Sequence, residues 1–403
     1  MASLLEPYKR WLYAVDIHPS SGCVACGNCY GRGPANWLAE EHNTADWKCV
    51  PFDYYGWRSY TPSSFWELAT KYYHSQISID EEVRVRLFSC AQCGLCDEVC
   101  GIVAGDQRLS EIFRVFRGEI FLKTGPFRGL ADVVKNVRES GNIYGIRERR
   151  FWGDGLVKPV EEGGRAGTLL YVGDTAYYKL PQVAQAAARI LKAFNLDFTA
   201  LRDEPNSGYE LEMAGDFTGA RSQWEKVREA CRKGGFKTLV CLSAQDFHVL
   251  KRELGNEIQV HHITTLLASR PRPNLGRYPG RAAYHDPCYL ARHAGSRSPR
   301  GARAVEEPRR ILSWVPGLEI LELRHRGRWT WCVGECGGLP WSFPELARWR
   351  AEKLITEAVG MGVEKLITAS PPELLHLKNS LGRNQAGLEI LDISEVLAAS
   401  LPR

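Results

Sequence analysis

FKTLVCLSAQDFHVLKRELGNEIQVHHITTLL, residues 236–267, is the stretch whose reading decides the fold. A short apolar run leads into Ser-x-x-acid and an amphipathic segment ending in Leu-Gly. A second apolar run and a second amphipathic segment follow, so the order is strand, helix, strand, helix. Residues 363–397, VEKLITASPPELLHLKNSLGRNQAGLEILDISEVL, repeat that order. With Lys251 and Lys378 in register, Ser243 pairs with Ser370 and Asp246 with Glu373. Upstream, TLLYVGD, LPQVAQAAARILKAFN and LDFTAL continue the alternation. Such alternation predicts βα units around mainly parallel sheets, and the loop-like RPRPNLGRYPG at 270–280 divides two related α/β segments. At each Ser-x-x-acid the strand turns into a helix, which gives Ser243 and Ser370 the N-cap position and Asp246 and Glu373 the N3 position.

The chain has 403 residues, enough for two or three domains at about 150 residues each. With 44% hydrophobic and 25% charged residues, disorder, collagen and coiled coil are poor readings. No apolar run approaches the roughly 18 residues that cross a bilayer. MASLLEPYKRWLYAVD at the start carries early charges and no cleavage site of a secretory signal. The net charge of +5 is mild and spread along the chain, so no nucleic-acid partner is expected, and there is no P-loop or dinucleotide fingerprint.

Eight of the 13 cysteines lie between Cys23 and Cys100. A chain this long needs no disulfide framework, and thiols clustered in a cytoplasmic setting point to metal. The first group is Cys23-x2-Cys26-x2-Cys29 with Cys49 as an outlier. The second is Cys90-x2-Cys93-x2-Cys96-x3-Cys100. The second has the spacing of bacterial ferredoxin runs, in which the fourth cysteine of each run ligates the other cluster. That pattern gives one [4Fe–4S] cluster to Cys23, Cys26, Cys29 and Cys100, and another to Cys90, Cys93, Cys96 and Cys49. In-run pairing stays open, because the interval from Cys29 to Cys49 is far longer than usual. Structural zinc is the alternative, but zinc sites take two separated cysteine pairs rather than two x2-x2 triplets. Gly27 and Gly94 let the backbone bend around a cluster. The aromatics at 47–66 (Trp47, Tyr54, Tyr55, Trp57, Tyr60, Trp66) either shield a cluster or form an ordinary core.

AYHDPCYLARHAG (283–295), CVGECGGLPWSFPELA (332–347) and EKLITASPPELLHLK (364–378) resemble the second cysteine-rich repeat of the CCG family of iron–sulfur proteins. That family includes the D-type subunit of heterodisulfide reductase and the iron–sulfur subunit of glycolate oxidase. The resemblance implies a multidomain α+β chain. A mainly helical ferredoxin-like domain with two [4Fe–4S] clusters would occupy 1–125, a linker 126–165, a degenerate first repeat 166–279 and a degenerate second repeat 280–403, both repeats α/β with mainly parallel sheets.

It also implies where ligands are missing. The family's lone cysteine, Cys-Cys-Gly and Cys-x-x-Cys correspond in repeat one to Asp174, to Asn206, Ser207 and Gly208, and to Ser243 and Asp246. In repeat two Cys288 and Cys332 stand at ligand positions, Val333 replaces a thiol, and Ser370 and Glu373 replace Cys-x-x-Cys. An extra thiol, Cys336, follows. Cys288, Cys332 and Cys336 either hold an additional metal centre, completed by Glu373 or His285, or are a buried remnant. Cys231 and Cys241 read as structural thiols, and His261, His262 and His293 as surface or packing residues.

The resulting expectation is an electron-transfer subunit of a heterodisulfide-reductase-like hetero-oligomer. It is cytoplasmic, or peripheral at the membrane through a partner. It relays electrons between a flavoprotein or iron–sulfur subunit and another acceptor such as a membrane quinone or cytochrome subunit. The alternative is a disulfide or thiol reductase using a modified site at Cys288, Cys332 and Cys336.

Overall fold

A computed structural model describes residues 3–12, 23, 27, 29, 49–103, 109–148, 150–293, 303–382, 385 and 387–402. The chain divides into two compact units. The first comprises Met1–Val134, Glu210–Phe217 and Arg324–Arg350; the second comprises Lys135–Tyr209, Thr218–Leu323 and Ala351–Arg403. Sequence order alone did not suggest that 324–350, with Cys332 and Cys336, is grouped with the N-terminal cysteines.

The first unit is helical among its described residues. Thr61 caps the helix Pro62–Tyr73, accepting from the N–H of Ser64, and Pro62 fits a first turn that needs no donor. Asp80 caps Glu81–Phe88 in the same way through Val83. The long helix Leu109–Thr124 buries Ile112, Phe113, Phe116 and Ile120, and Phe113 meets Phe65 edge to face. The aromatics of the 47–66 stretch divide: Trp66 is buried, Tyr55 stacks on Tyr60, Trp57 is exposed, and Trp47 lies outside the described residues.

The second unit holds two four-stranded sheets. In chain order the strands are β1 (Thr168–Tyr171), β2 (Phe198–Thr199), β3 (Thr238–Cys241), β4 (Gln259–His262), β5 (Gly280–Tyr284), β6 (Leu318–Glu322), β7 (Lys365–Thr368) and β8 (Glu389–Asp392). The spatial orders are β2-β1-β3-β4 and β6-β5-β7-β8, and every pairing is parallel. The two segments read as a repeat occupy β3 to β4 and β7 to β8, the same places in both sheets. The helix Pro181–Ala193 buries Val183, Ala184, Ala187, Ile190 and Leu191 as one stripe, and it packs on the helix Ile393–Ala399. The two sheets thus share one unit.

The stretch 126–165, read as a linker, contains the helix Leu130–Ser140 with Leu130, Val133, Val134 and Val137 buried. Their helical spacing outweighs the charge of the surrounding sequence.

Candidate metal centre

Within the first unit, thiols from three stretches come together around tight bends. Cys49 is the N-cap of the helix Val50–Tyr55, started by Pro51 and closed by Gly56 in the left-handed conformation. Its residue is half-buried, but the sulfur is packed in. Burial holds the thiol well above its ordinary range, with Cys90 and Cys93 as the next electrostatic neighbours. Between Ser89 and Leu95 the chain turns at Gln92 (φ 54°) and Gly94 (φ 74°), and the Gln92 N–H donates to Cys90 Sγ at 3.4 Å. Gly94 was legible as a bend; a left-handed Gln92 was not. Burial pushes the Cys90 thiol up to about 12, and it holds that of Cys96 well above its usual range. Neighbours of Cys96 are Asp97, Cys90, Cys93 and Cys29. Cys23 and Cys100 are half-buried, Gly27 adopts φ 84°, and Cys26 lies outside the described residues.

The loop 332–338 bends in the same manner. The Gly334 N–H donates to Cys332 Sγ at 3.4 Å, and Gly334, Gly337 and Gly338 are all left-handed. The sulfurs of Cys332 and Cys336 lie within 4.8 Å of each other, and both residues are buried. Gly337 cannot be anything larger, since an added Cβ would stand 2.6 Å from the backbone of Ala91 and 2.9 Å from the Cys90 carbonyl.

Two buried arginines fix these loops, and neither was singled out from the sequence. Arg117 is fully buried and donates to five carbonyls: Met213 at 3.0 Å, Gly337 at 2.8 Å, Leu87 at 3.2 Å, Phe88 at 3.4 Å and Cys90 at 2.6 Å. Its place inside the apolar IFRVFRGEIF run was the available signal. Arg350 donates to the Cys332 carbonyl at 3.1 Å and to Asp53 at 2.5 Å. Glu98 on the helix Leu95–Val103 pairs with Arg328, and Trp329 and Cys93 both pack against Leu95 and Val99.

The donor chemistry suits iron–sulfur ligation. Cys49, Cys90, Cys93 and Cys96 offer four thiolates, an N–H···S bond shields one of them, and Arg350 Nη2 is a buried donor with no acceptor among the described residues.

In the second unit the positions assigned to repeat-one ligands do converge, but as a closed polar network. Asn206 Nδ2 donates to Asp174 Oδ2 at 2.8 Å, which also accepts from the Ile143 N–H at 2.8 Å. Asp246 is fully enclosed. Burial first, and then the charge of Asp174, raise its carboxyl to about 7, against stabilising hydrogen bonds from Ser207 and Ser243. Glu204 accepts from the N–H groups of Val172 and Gly173. Gly173 must be glycine here, because a Cβ would stand 2.2 Å from Asp246 Oδ2.

Ser243 caps its helix as expected, accepting from the Asp246 N–H at 3.2 Å. Ser370 does not. Its hydroxyl accepts from the Ala244 N–H at 3.3 Å and donates to Gln245 at 2.8 Å, serving the helix of the other repeat. Glu373 accepts from Thr368 Oγ1 at 2.8 Å and faces His285 Nδ1 at 3.3 Å. Cys288 is buried just beyond β5. His262 is a packing histidine, as read: it caps the helix Ile263–Ala268, and burial lowers it to about 4. Cys231 and Cys241 are buried, with burial raising both thiols.

Fold and loops together define a cysteine-rich α/β protein whose thiol loops lie in a helical unit. Residues 282–378 match the family described as Cysteine-rich domain. It is 27% identical over an alignment of 412 residues to the D-type subunit of the dihydromethanophenazine:CoB–CoM heterodisulfide reductase of Methanosarcina acetivorans, covering 97% of this chain and 96% of that one. To the B-type subunit of the fumarate reductase (CoM/CoB) of Methanothermobacter marburgensis it is 28% identical over 321 residues, 77% of this chain and 61% of that one. In fold it is similar to a hypothetical protein from Helicobacter pylori, with a TM-score of 0.52 and 11% identity over 85% of this chain and 68% of that one. Among the described residues no helix is long and apolar enough to cross a membrane.

Proposed function

We propose that the chain is an iron–sulfur electron-transfer subunit of a heterodisulfide-reductase-like hetero-oligomer. Cys90, Cys93, Cys96 and Cys49 would hold one [4Fe–4S] cluster, and Cys23, Cys26, Cys29 and Cys100 the other. The observation that carries this reading is the packing of Cys49, remote in sequence, beside Cys90 and Cys93. When bound, such clusters accept and release single electrons. The chain's own residues supply the enclosure: Arg117 locks the Cys90 carbonyl, Gln92 donates to a thiol, and Trp329 packs on Leu95 and Val99 beside the thiol loop.

A flavoprotein or another iron–sulfur subunit on one side, and a quinone or cytochrome subunit on the other, are the partners this role calls for. The names of the relatives above favour such a multisubunit setting. Relay is favoured over catalysis because the repeat-one positions are filled by a self-satisfied polar network, which offers no open metal and no reactive thiolate.

Anaerobically purified full-length protein is expected to carry about eight irons per chain and a broad band near 400 nm. Stoichiometric zinc without iron after anaerobic reconstitution would refute this. Cys49→Ser is expected to perturb the cluster of Cys90, Cys93 and Cys96; damage confined to the other cluster would establish in-run pairing.

A further inference from the structure

Arg350 is 1% exposed, and most of its guanidinium is accounted for. Nε donates to the Cys332 carbonyl, Nη1 to Asp53 Oδ2, and the group lies over the Trp331 ring, 4.2 Å from its centroid. Nη2 is buried and meets no acceptor among the described residues. Leaving a buried charged donor unsatisfied is costly, so such a group implies an acceptor. A guanidinium is also the side chain best suited to addressing an anion from a fixed plane. After Asp53, the groups that act on it electrostatically are the sulfurs of Cys332, Cys93 and Cys49, which are negative only as thiolates. Asp53 sits in the helix that Cys49 caps, and the Asp53 N–H donates to the Cys49 carbonyl at 2.8 Å. The ion pair is thus built onto the segment that delivers the remote thiol, and Trp331 keeps water from screening it.

We propose that Arg350 is a positioning residue for the cluster of Cys49, Cys90, Cys93 and Cys96: its Nη2–H bonds the anionic sulfur shell, and its charge, opposed by that of Asp53, sets the reduction potential. This rests on the cluster reading above. One-electron reduction makes the sulfur shell one charge more negative, with no bond made and no proton moved. A neighbouring cation therefore favours the reduced form and a neighbouring anion the oxidised form.

The test is an anaerobic redox titration of the full chain followed by electron paramagnetic resonance, reading the signal that Cys93→Ser abolishes. Arg350→Gln is expected to lower the reduced-to-oxidised ratio at fixed ambient potential about tenfold, equal to about 59 mV for a one-electron couple. Asp53→Asn is expected to move the midpoint the opposite way, and Arg350→Lys to fall between wild type and Arg350→Gln. Opposite signs from two members of one ion pair are not what a merely structural tie produces. Unchanged midpoints with iron intact overturn the proposal, as do shifts of the same sign in the Gln and Asn variants. Loss of iron in all three variants overturns it too, since Arg350 is then a structural tie. If Arg350→Gln alone loses iron, the Lys and Asn variants decide by the sign of their shifts. A wild-type chain that binds no iron is a separate result and removes the cluster reading itself.

Discussion

The thiol loops of the helical unit and the polar pocket of repeat one are two answers to the same problem, a sharp turn that buries several chemically demanding side chains. At Cys90 and Cys332 the turn presents sulfur to a backbone N–H two residues on, and buried arginines hold the flanking carbonyls. Burial drives the Cys90 thiol toward the neutral form, and a metal would favour its thiolate there. At Asp174, Asn206, Ser207, Ser243 and Asp246 the donors and acceptors satisfy one another, and the raised carboxyl of Asp246 keeps a proton. A site asks for a ligand when its own groups cannot pair. In the pocket of Asp174 and Asp246 the groups do pair with one another.

The largest effect that could break this contrast is in metal content. Cys93→Ser is expected to remove about four of about eight irons, while Asp246→Asn leaves the iron unchanged. Iron lost equally from both variants, measured by anaerobic metal analysis, would mean that the polar pocket is not independent of the clusters.

Next in size is the enclosure. Arg117→Met removes the guanidinium from five buried carbonyls, of which Leu87 keeps a backbone donor, a loss of at least about 3 kcal/mol in chemical denaturation. A change below about 1 kcal/mol would show that water replaces the guanidinium easily, and that the loops are less fixed than their hydrogen bonds suggest.

A smaller effect belongs to the pocket. Asp246 titrates near 7 when folded against an ordinary value of 3.8, so between these values the folded chain holds a proton that the unfolded chain has released. Its contribution to stability is full below about pH 4 and is lost as pH rises through 7, at up to about 1.4 kcal/mol per pH unit. Asp392, raised by burial to about 7, acts in the same direction. Asp246→Asn is expected to flatten the fall in melting temperature between about pH 4 and 7, leaving the Asp392 part. An unchanged profile would place the proton elsewhere.

The smallest effect separates the two serines. Ser243→Ala and Ser370→Ala should each cost about 1 kcal/mol. Only Ser243 caps its own helix, whereas Ser370 acts on the helix Ala244–Leu254 through Ala244 and Gln245. In a double-mutant cycle the two losses should be non-additive. Additivity would mean that each serine serves its own helix.

Much of this was legible in the chain itself. The strand–helix alternation, the repeat and the bend at Gly94 are local, because they follow from the spacing of apolar residues and from the backbone freedom of single positions. The thiol triplets are local as well. What the sequence could not determine is whatever depends on distant segments meeting. Spacing left the pairing of Cys49 open, and it did not group Cys332 with the N-terminal cysteines. The helix Leu130–Ser140 inside the stretch 126–165 forms where its apolar stripe has something to pack on. Ser370 has the sequence of a cap, yet its hydroxyl is taken by another helix. Arg117 and Arg350 look like surface charges until packing encloses them, and Asp246 looks like an ordinary carboxylate until burial raises it. Burial sets the energy of a charge or a hydrogen bond, and burial is decided only when the whole chain has folded.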